Sequence, residues 1–222
     1  MTDGYHPPVE EYLETIQSLT EEGTPVIQAR IAERLGRSAP SVSEMLDRLE
    51  ADGYISRRGR AISLTGRGRT LADSVIRKHR LAERLLVDVI GLPWHKAHIE
   101  AGRWEHVISD EVEARLVELL GNPTTCPHGN PIPGSGGDGR RTAGQVSLAE
   151  VALGGKVRLE RITEEVELDM ASLEFLDRHG CIPGRDALVR ARDDDGSTTL
   201  EVEGQTVTLP SAISQQVFVA AL

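Results

Sequence analysis

The feature that most constrains the fold is a pair of short amphipathic helices separated by a tight turn. Apolar residues recur every three or four positions over residues 27–35 and again over residues 42–49, as they do on the buried face of a helix. Gly36 can end the first helix, and Ser38 can cap the second. This succession predicts a helix-turn-helix motif.

A basic hairpin follows the second helix. Two β-like runs, at residues 54–57 and 61–64, flank a bend made of arginine and glycine. Helix, turn, helix and hairpin together are typical of a winged helix-turn-helix. In that fold the second helix enters the major groove of DNA, and basic residues of the wing contact phosphates. The corresponding candidates are Ser41, Ser43, Glu44 and Arg48 on the outer face of the second helix, and Arg57, Arg58 and Arg60 in the wing.

The distribution of charge indicates one surface that faces a polyanion. The net charge of the chain is −10, which excludes a generic polyanion binder of the histone type. Residues 25–80 nevertheless carry twelve Lys or Arg residues and six acidic ones, whereas residues 1–24 carry six acidic residues and no Lys or Arg. A basic segment between acidic ends is typical of a local nucleic-acid surface, and a solvated helical surface is the alternative.

Histidine, cysteine and carboxylate side chains recur after the hairpin in three groups. Spacings of four and seven residues place side chains on one face of a helix. Imidazole, thiolate and carboxylate groups together suit Mn, Fe, Co, Ni or Zn. A single histidine is more often structural, but three groups within about fifty residues favour a metal centre. The groups are His79 and Glu83 on a predicted helix over residues 65–90, His98, Glu105 and His106 on a predicted helix over residues 93–107, and Cys126 and His128 in a loop rich in glycine and proline.

The last third of the sequence predicts a small β-barrel after a linker. Residues 135–141 are small and polar, as in a flexible linker. Glu164, Glu165, Glu167 and Asp169 are either metal ligands or a solvated acidic turn. Short strand-like runs separated by glycine turns cover residues 146–153, 156–162, 187–191, 198–202 and 206–209, with one helix-like stretch at residues 169–179.

Several segments resemble the diphtheria toxin repressor (DtxR/IdeR/MntR) family of metal-dependent transcriptional regulators. They are residues 77–92, 103–109 and 130–134, and residues 9–13 and 31–35 fit the same family. The resemblance implies an α+β fold. Its parts are an N-terminal winged helix-turn-helix domain over residues 1–73, a helical metal-binding and dimerisation domain over residues 74–134, a linker over residues 135–146, and an SH3-like (FeoA-type) small β-barrel over residues 147–222.

The same resemblance implies a cytoplasmic homodimer that acts as a repressor controlling metal homeostasis. Such a protein binds palindromic operators in double-stranded DNA when Mn(II) or Fe(II) is bound. Ser38, Pro40 and Glu44 fall at base-contacting positions, and Gln28 joins the DNA-binding set. Glu44 replaces the glutamine that is usual in DtxR-type members, which predicts a changed operator preference. A first-helix carboxylate in place of the methionine of iron-type members favours Mn(II), with Fe(II) as the alternative.

The resemblance also assigns the candidate ligands to two metal sites. In the first site Glu11 occupies the first-helix position, and Glu105 and His106 match two further ligands. Gly102 stands where the family has cysteine or glutamate, so this chain offers only a backbone carbonyl there. We therefore expect the second site to be the better ligated one. His79, Glu83 and His98 match that site, Cys126 and His128 join it, and Glu164 and Glu167 fall where the SH3-like domain reaches it. We expect its ligands to be Glu83, Cys126, His128 and a carboxylate of the C-terminal domain, with His79 and His98 beside them.

Two other classes of function fit the residues less well. A metallohydrolase could use the same side chains to activate water, but no separate general-base motif is present. A regulator that senses a small molecule would bind its operator regardless of chelators. No apolar run reaches the ~18 to 20 residues of a membrane span, and the first residues show no signal peptide. With two cysteines and no disulfide framework, a reducing cytoplasmic environment is expected.

Overall fold

The N-terminal part of the chain consists of three helices and an antiparallel hairpin. The computed structural model describes residues 8–136 and 144–222, so residues 137–143 of the predicted linker lie outside the described residues. The elements of this first part are α1 (Pro8–Glu21), α2 (Gln28–Leu35), α3 (Ala39–Ala51), β1 (Ile55–Arg58) and β2 (Ala61–Leu64).

The turn between α2 and α3 forms as its residues predict. Gly36 ends α2 with a φ of 60°, and Ser38 caps α3 by accepting a hydrogen bond from the N–H of Ser41 at 3.4 Å. Pro40 lies in the first turn of α3, where its missing N–H breaks no helical hydrogen bond. The apolar faces of α2 and α3 pack into one core with α1 and the hairpin. Its fully buried members include Leu13, Ile16, Ile31, Val42, Leu46 and Leu49.

A long helix, α4 (Gly66–Arg84), leads from the hairpin into a second, helical part. It begins after the cap residue Thr65 and continues into a single π-helical turn at Leu85–Val89. The other helices of this part are α5 (Ala97–Ala101) and α6 (Asp110–Leu119). Because α4 packs against α1 as well as α5 and α6, its side chains reach both parts. No helix within the described ranges is long and apolar enough to cross a membrane.

The predicted helix over residues 93–107 is wrong beyond Ala101. Residues 102–107 form turns instead, and the N–H of Arg103 donates to the carbonyl of Glu100 at 3.1 Å. The residue at the break is a glycine, which has the lowest helix propensity of any residue except proline. The break at Gly102 lets the ligand candidates Glu105 and His106 turn away from the axis of α5.

The C-terminal part is a six-stranded antiparallel sheet with three short helices, α7 (Glu164–Glu167), α8 (Met170–Arg178) and α9 (Ser211–Gln216). The strand order is β3-β8-β4-β5-β6-β7. Their inward side chains form a core of their own with α8. The strands are β3 (Val146–Ser147), β4 (Lys156–Ile162), β5 (Asp186–Arg192), β6 (Thr198–Val202), β7 (Gln205–Leu209) and β8 (Val217–Ala221).

Two strands of this sheet differ from the sequence prediction. The first strand is only Val146–Ser147, because the next residues turn into a short 3-10 helix at Leu148–Glu150. The last strand, β8, was not predicted, yet it pairs with both β3 and β4 and completes the sheet. All its residues are apolar, and a short apolar run without alternation does not distinguish a strand from a buried helix.

The loop that carries the Cys-x-His pair lies directly against strand β4. The N–H of Ile162 donates to the carbonyl of His128 at 2.8 Å, and the side-chain amide of Asn130 donates to the carbonyl of Ile162 at 2.8 Å. Gly129 lies between them with a φ of 86°, and a Cβ there would lie 1.9 Å from the carbonyl oxygen of Glu160. Since only glycine permits this approach, Gly129 fixes the loop to the C-terminal sheet.

We predict that Gly129→Ala destabilises the protein more than Gly121→Ala does. The two glycines have φ angles of 86° and 73°, so alanine costs about 1–2 kcal/mol at each position through backbone strain. A Cβ at Gly121 meets nothing within 4 Å, whereas one at Gly129 must displace the backbone of β4. We expect at least about 2 kcal/mol of additional loss in the free energy of unfolding, measured in urea. Equal losses in the two variants would contradict this docking of the loop.

Candidate metal centre

Two helices bring three of the predicted ligands together. α4 carries His79 and Glu83, and α5 carries His98. Nε2 of His79 lies 3.0 Å from Nδ1 of His98, and Oε1 of Glu83 lies 3.2 Å from each of these nitrogens. Ligand atoms at adjacent positions around one cation, with bonds of about 2.1 Å, are separated by roughly 3.0–3.4 Å. The triangle therefore has the dimensions of one face of a coordination shell.

The Cys-x-His loop and α7 add to the same cluster. Cys126 and His128 are buried, and their ligand atoms lie within 4.8 Å of one another and of Glu83. Nδ1 of His128 is 3.2 Å from Oε1 of Glu83. Oε2 of Glu167 lies 2.9 Å from Nδ1 of His98 and 3.4 Å from Nδ1 of His128. The C-terminal sheet domain thus contributes a carboxylate to a cluster built mainly by the helical domain.

Several buried atoms of this cluster lack a hydrogen-bond partner. Within the part of the chain that the structure describes, they are Oε2 of Glu83 and both ring nitrogens of His128. Buried polar atoms are nearly always satisfied, so three unsatisfied ones in one cluster indicate that the cluster binds a further group. A set of imidazole, carboxylate and thiol donors suits a divalent transition metal. The residues present therefore fit Mn(II) or Fe(II).

The carboxylates and imidazoles of the cluster stabilise one another's charged forms. Burial opposes ionisation of Glu83, but His128 and His79 outweigh it and hold the pKa of Glu83 well below its usual range. Burial likewise opposes protonation of His98, but hydrogen bonds to Glu167 and Glu83 raise its pKa to about 10. Because an imidazole ligand must be neutral, metal binding to this cluster releases protons.

A second group of ligand atoms lies where α4 meets α1. Glu14, His79 and Glu105 have ligand atoms within 4.8 Å of one another. Nδ1 of His79 lies 2.5 Å from Oε2 of Glu105, so His79 faces the two groups with its two ring nitrogens. His106 extends the second group, with its Nε2 3.0 Å from Oε1 of Glu105 and its Nδ1 2.7 Å from Oε2 of Glu10. This group therefore joins the winged helix to the helical domain.

The first-helix carboxylate at this group differs from the expected one. Glu11 pairs instead with Arg37, with 3.9 Å between the charged atoms, and its side chain is 28% exposed. Glu14 was not among the candidates, although it lies one turn after Glu10 on the same face of α1. Burial raises the pKa of Glu14 well above its usual range, and the charge of Glu105 adds to the effect. The four-residue spacing of the two glutamates is the signal that could have identified it.

The short helix α7 connects the metal cluster to the winged helix. Glu164, the other C-terminal candidate, accepts a hydrogen bond from Oγ of Ser18 on α1 at 2.6 Å. The N–H of Glu165 donates to Oε1 of Glu22 at 3.1 Å, and Glu22 also pairs with Arg34 of α2 at 2.7 Å. α7 therefore contacts the N-terminal domain with its first two residues and the metal cluster with its last.

Most of the candidate DNA-contacting residues are exposed. Arg57 differs from the other wing arginines because it pairs with Asp47 and Glu50 of α3, at 2.7 Å each. Gln28 donates from its side chain to the carbonyl of Ala39 at 3.0 Å, across the turn. Both contacts stiffen the motif. The exposed candidates are Ser38, Pro40, Ser41, Glu44, Arg48, Arg58 and Arg60, and the partly buried ones are Gln28, Ser43 and Arg57.

The helical domain also has exposed apolar side chains. Val89 and Ile90 are each 56% exposed, and Val107 is 71% exposed. Large apolar side chains exposed on one domain are candidates for a protein interface. These residues are therefore available to a second subunit.

Three family models match successive parts of the chain. They describe an iron dependent repressor N-terminal DNA binding domain over residues 6–60, an iron dependent repressor metal binding and dimerisation domain over residues 65–134, and a FeoA domain over residues 146–221. The iron-dependent repressor IdeR of Mycobacterium tuberculosis (strain ATCC 25618 / H37Rv) is 46% identical over 217 residues, which cover 94% of each chain. The chain belongs to the diphtheria toxin repressor family.

Other members of the family are also similar along nearly the whole chain. The diphtheria toxin repressor of Corynebacterium diphtheriae is 44% identical over 90% of this chain and 91% of its own. The solved structure of a manganese-dependent transcriptional repressor in complex with manganese has a TM-score of 0.85 at 32% identity, covering 96% of this chain and 100% of that one. ScaR with bound Zn²⁺ has a TM-score of 0.81 at 32% identity, covering 97% and 100%.

Membership of this family defines the general function. The chain is a metal-dependent, DNA-binding repressor that dimerises, and it is not an enzyme. The predicted fold class is confirmed as well, with a winged helix-turn-helix, a helical dimerisation domain and an SH3-like C-terminal domain.

We predict that Glu14→Gln weakens metal binding, whereas Glu11→Gln does not. Glu14 lies among the ligand atoms of the group at α1, while Glu11 pairs with Arg37. Isothermal titration of each variant with Mn(II) measures the effect. We expect the affinity of one class of sites to fall at least about tenfold in Glu14→Gln, because losing even a group that supports a ligand costs 10–100-fold. The reverse ranking would restore the position that the family resemblance assigns to Glu11.

Proposed function

We propose that this protein is an Mn(II)-responsive repressor of metal homeostasis that binds palindromic operators as a cytoplasmic homodimer. The group at α1 carries the proposal, because Glu14 and Glu105 offer carboxylate oxygens and Glu10 lies beside them on His106. Oxygen-rich sites favour Mn(II) over softer ions.

We propose the same domain limits as the sequence predicts. The winged helix-turn-helix domain covers residues 1–73, the helical domain residues 74–134 and the SH3-like domain residues 147–222, with a linker over residues 135–146.

Fe(II) is the second candidate. Cys126 gives the other cluster a softer donor than any in the group at α1. The 46% identical relative is named an iron-dependent repressor, whereas the manganese-dependent repressor of known structure is 32% identical. We rank Mn(II) first because the group at α1 takes one of its side chains, Glu14, from the winged-helix domain. The arrangement of that domain determines DNA binding.

The proposed ligands come from all three domains. Binding one ion with side chains from different domains favours one arrangement of those domains, by about 2.7 kcal/mol when the ion is at a hundred times its Kd. In a two-fold dimer this arrangement sets the spacing of two recognition helices, which must match half-sites about one helical turn apart. For one site we propose the ligands Glu14, His79, Glu105 and His106, with Glu11 as the alternative on α1. For the other site we propose Glu83, His98, Cys126, His128 and Glu167. Glu164 positions α7.

Operator binding at buffered metal concentrations tests this function. The operator is first selected from random duplexes, and its binding is then followed by fluorescence anisotropy with Mn(II), Fe(II), Co(II) and Zn(II). We expect no specific binding without metal and the largest gain in affinity with Mn(II). Glu105→Gln should abolish the gain, because Glu105 contacts both His79 and His106. A larger gain with Fe(II) would favour the iron-responsive alternative, and metal-independent binding would refute both.

We predict that Glu44→Gln changes the selected operator. Glu44 is exposed on the outer face of α3, where a carboxylate accepts from the amino group of cytosine and a glutamine pairs with adenine. Repeating the selection with the variant should return a different base at one position of each half-site.

Arg60→Gln is the matched control for this selection. Arg60 is exposed in the wing, where a contact to phosphate carries no sequence information. The control should weaken binding to all duplexes and reduce the salt slope by about one without changing the selected sequence. If wild type and Glu44→Gln select the same palindrome, Glu44 does not read a base.

A further inference from the structure

Arg161 is a buried arginine for which the described residues provide no charged partner. Its side chain is only 3% exposed, on strand β4. Among residues 8–136 and 144–222, no acceptor reaches its Nε and no carboxylate pairs with its guanidinium. The ring of Phe218 lies 5.5 Å from the guanidinium carbon, which gives only a weak cation–π contact. A buried charge of this kind strongly destabilises a fold unless a counter-charge accompanies it.

Neighbouring charges do not compensate the buried charge of Arg161. Burial lowers the pKa of Arg161 below its usual range, and although Glu21 opposes the shift, Arg80 adds to it. Glu21 is itself paired with Arg80 at 2.8 Å. The acidic side chain with the largest effect on Arg161 is therefore already engaged by another guanidinium.

Arg161 lines a cavity between the C-terminal sheet and the loop that carries Cys126. The cavity has a volume of about 310 Å³, which is ample for an ion of the size of phosphate. Arg84 lines the same cavity, held there because its Nε donates to the carbonyl of Thr125 at 2.7 Å. Among the described residues, the lining includes two guanidinium groups and one carboxylate, that of Glu160. Arg84 also pairs with Asp88 outside the lining, at 3.3 Å and partly exposed to solvent, so the charge of Arg161 is the one that lacks compensation.

We propose that this cavity binds a small phosphate-type oxyanion through Arg161 and Arg84. A guanidinium presents its donors in a rigid plane that matches two oxygens of phosphate at once. Two such groups suit a doubly charged tetrahedral anion better than a monocarboxylate. Binding joins β4 to the loop of Cys126 and His128, so the anion stabilises the docking of the C-terminal domain on the metal-binding domain.

Thermal unfolding of the full-length, metal-free protein in increasing inorganic phosphate tests the proposal, with ionic strength held constant by sodium chloride. We expect a saturable rise in Tm of about 5–10 °C at a hundred times the Kd, and no comparable rise with sodium acetate. Arg161→Met should abolish the rise. Because an apolar side chain then replaces an unpaired charge, this variant should be at least as stable as wild type without phosphate.

Arg158→Gln is the control on the same strand. Arg158 is 47% exposed and pairs with Asp186 at 2.7 Å, so the phosphate response should persist in this variant. A full response in Arg161→Met, or an equal response of wild type to acetate, would overturn the proposal. A marked loss of stability of Arg161→Met without phosphate would also overturn it, because Arg161 would then have a stabilising partner already. The assay contains neither metal nor DNA, so its failure leaves the proposed function intact.

Discussion

The structure depends most on one buried carboxylate that three imidazoles share. Glu83 is fully buried, and His79, His98 and His128 each lie 3.2 Å from its Oε1. An isolated carboxylate in this position would lose its hydration without compensation. For this reason, removing one partner of a buried ion pair costs about 3–5 kcal/mol of stability. Glu83 therefore holds α4, α5 and the Cys-x-His loop in one arrangement. The same arrangement converges the donor atoms that suit a divalent cation.

From this centre, contacts extend to both neighbouring domains. His79 uses its second nitrogen on Glu105, beside Glu14 of α1, while Glu167 of α7 reaches His98 and His128. Each outer domain thus contributes carboxyl groups to a region where imidazoles lie beside buried carboxylates. When the imidazoles become neutral ligands, a cation must balance the charge of these carboxylates, so metal occupancy and domain arrangement are coupled. DNA binding responds to the same coupling because α1 packs within the winged helix.

Periodicity and spacing predicted much of this from the sequence. Local properties of a few residues predict the apolar faces of α2 and α3, the caps at the turn between them, and the pairing of His79 with Glu83 on α4. Glu14 was missed because the first-helix position was assigned to Glu11 by analogy, and only the packing of α1 on α4 shows which glutamates face inward. β8 was missed because it forms only when β3 and β4 are present to pair with it. The unpaired state of Arg161 likewise depends on distant neighbours, which no local pattern contains.

The central claim is that metal binding fixes three domains in one arrangement, and hydrogen exchange measured along the chain with and without Mn(II) tests it most directly. We predict that Mn(II) slows exchange in α1 and in α7 together with the segments around His79 and Cys126, because ligands from all three domains are ordered by the same event. If exchange slowed only within residues 74–134 while α1 and α7 were unchanged, the metal would not link the domains.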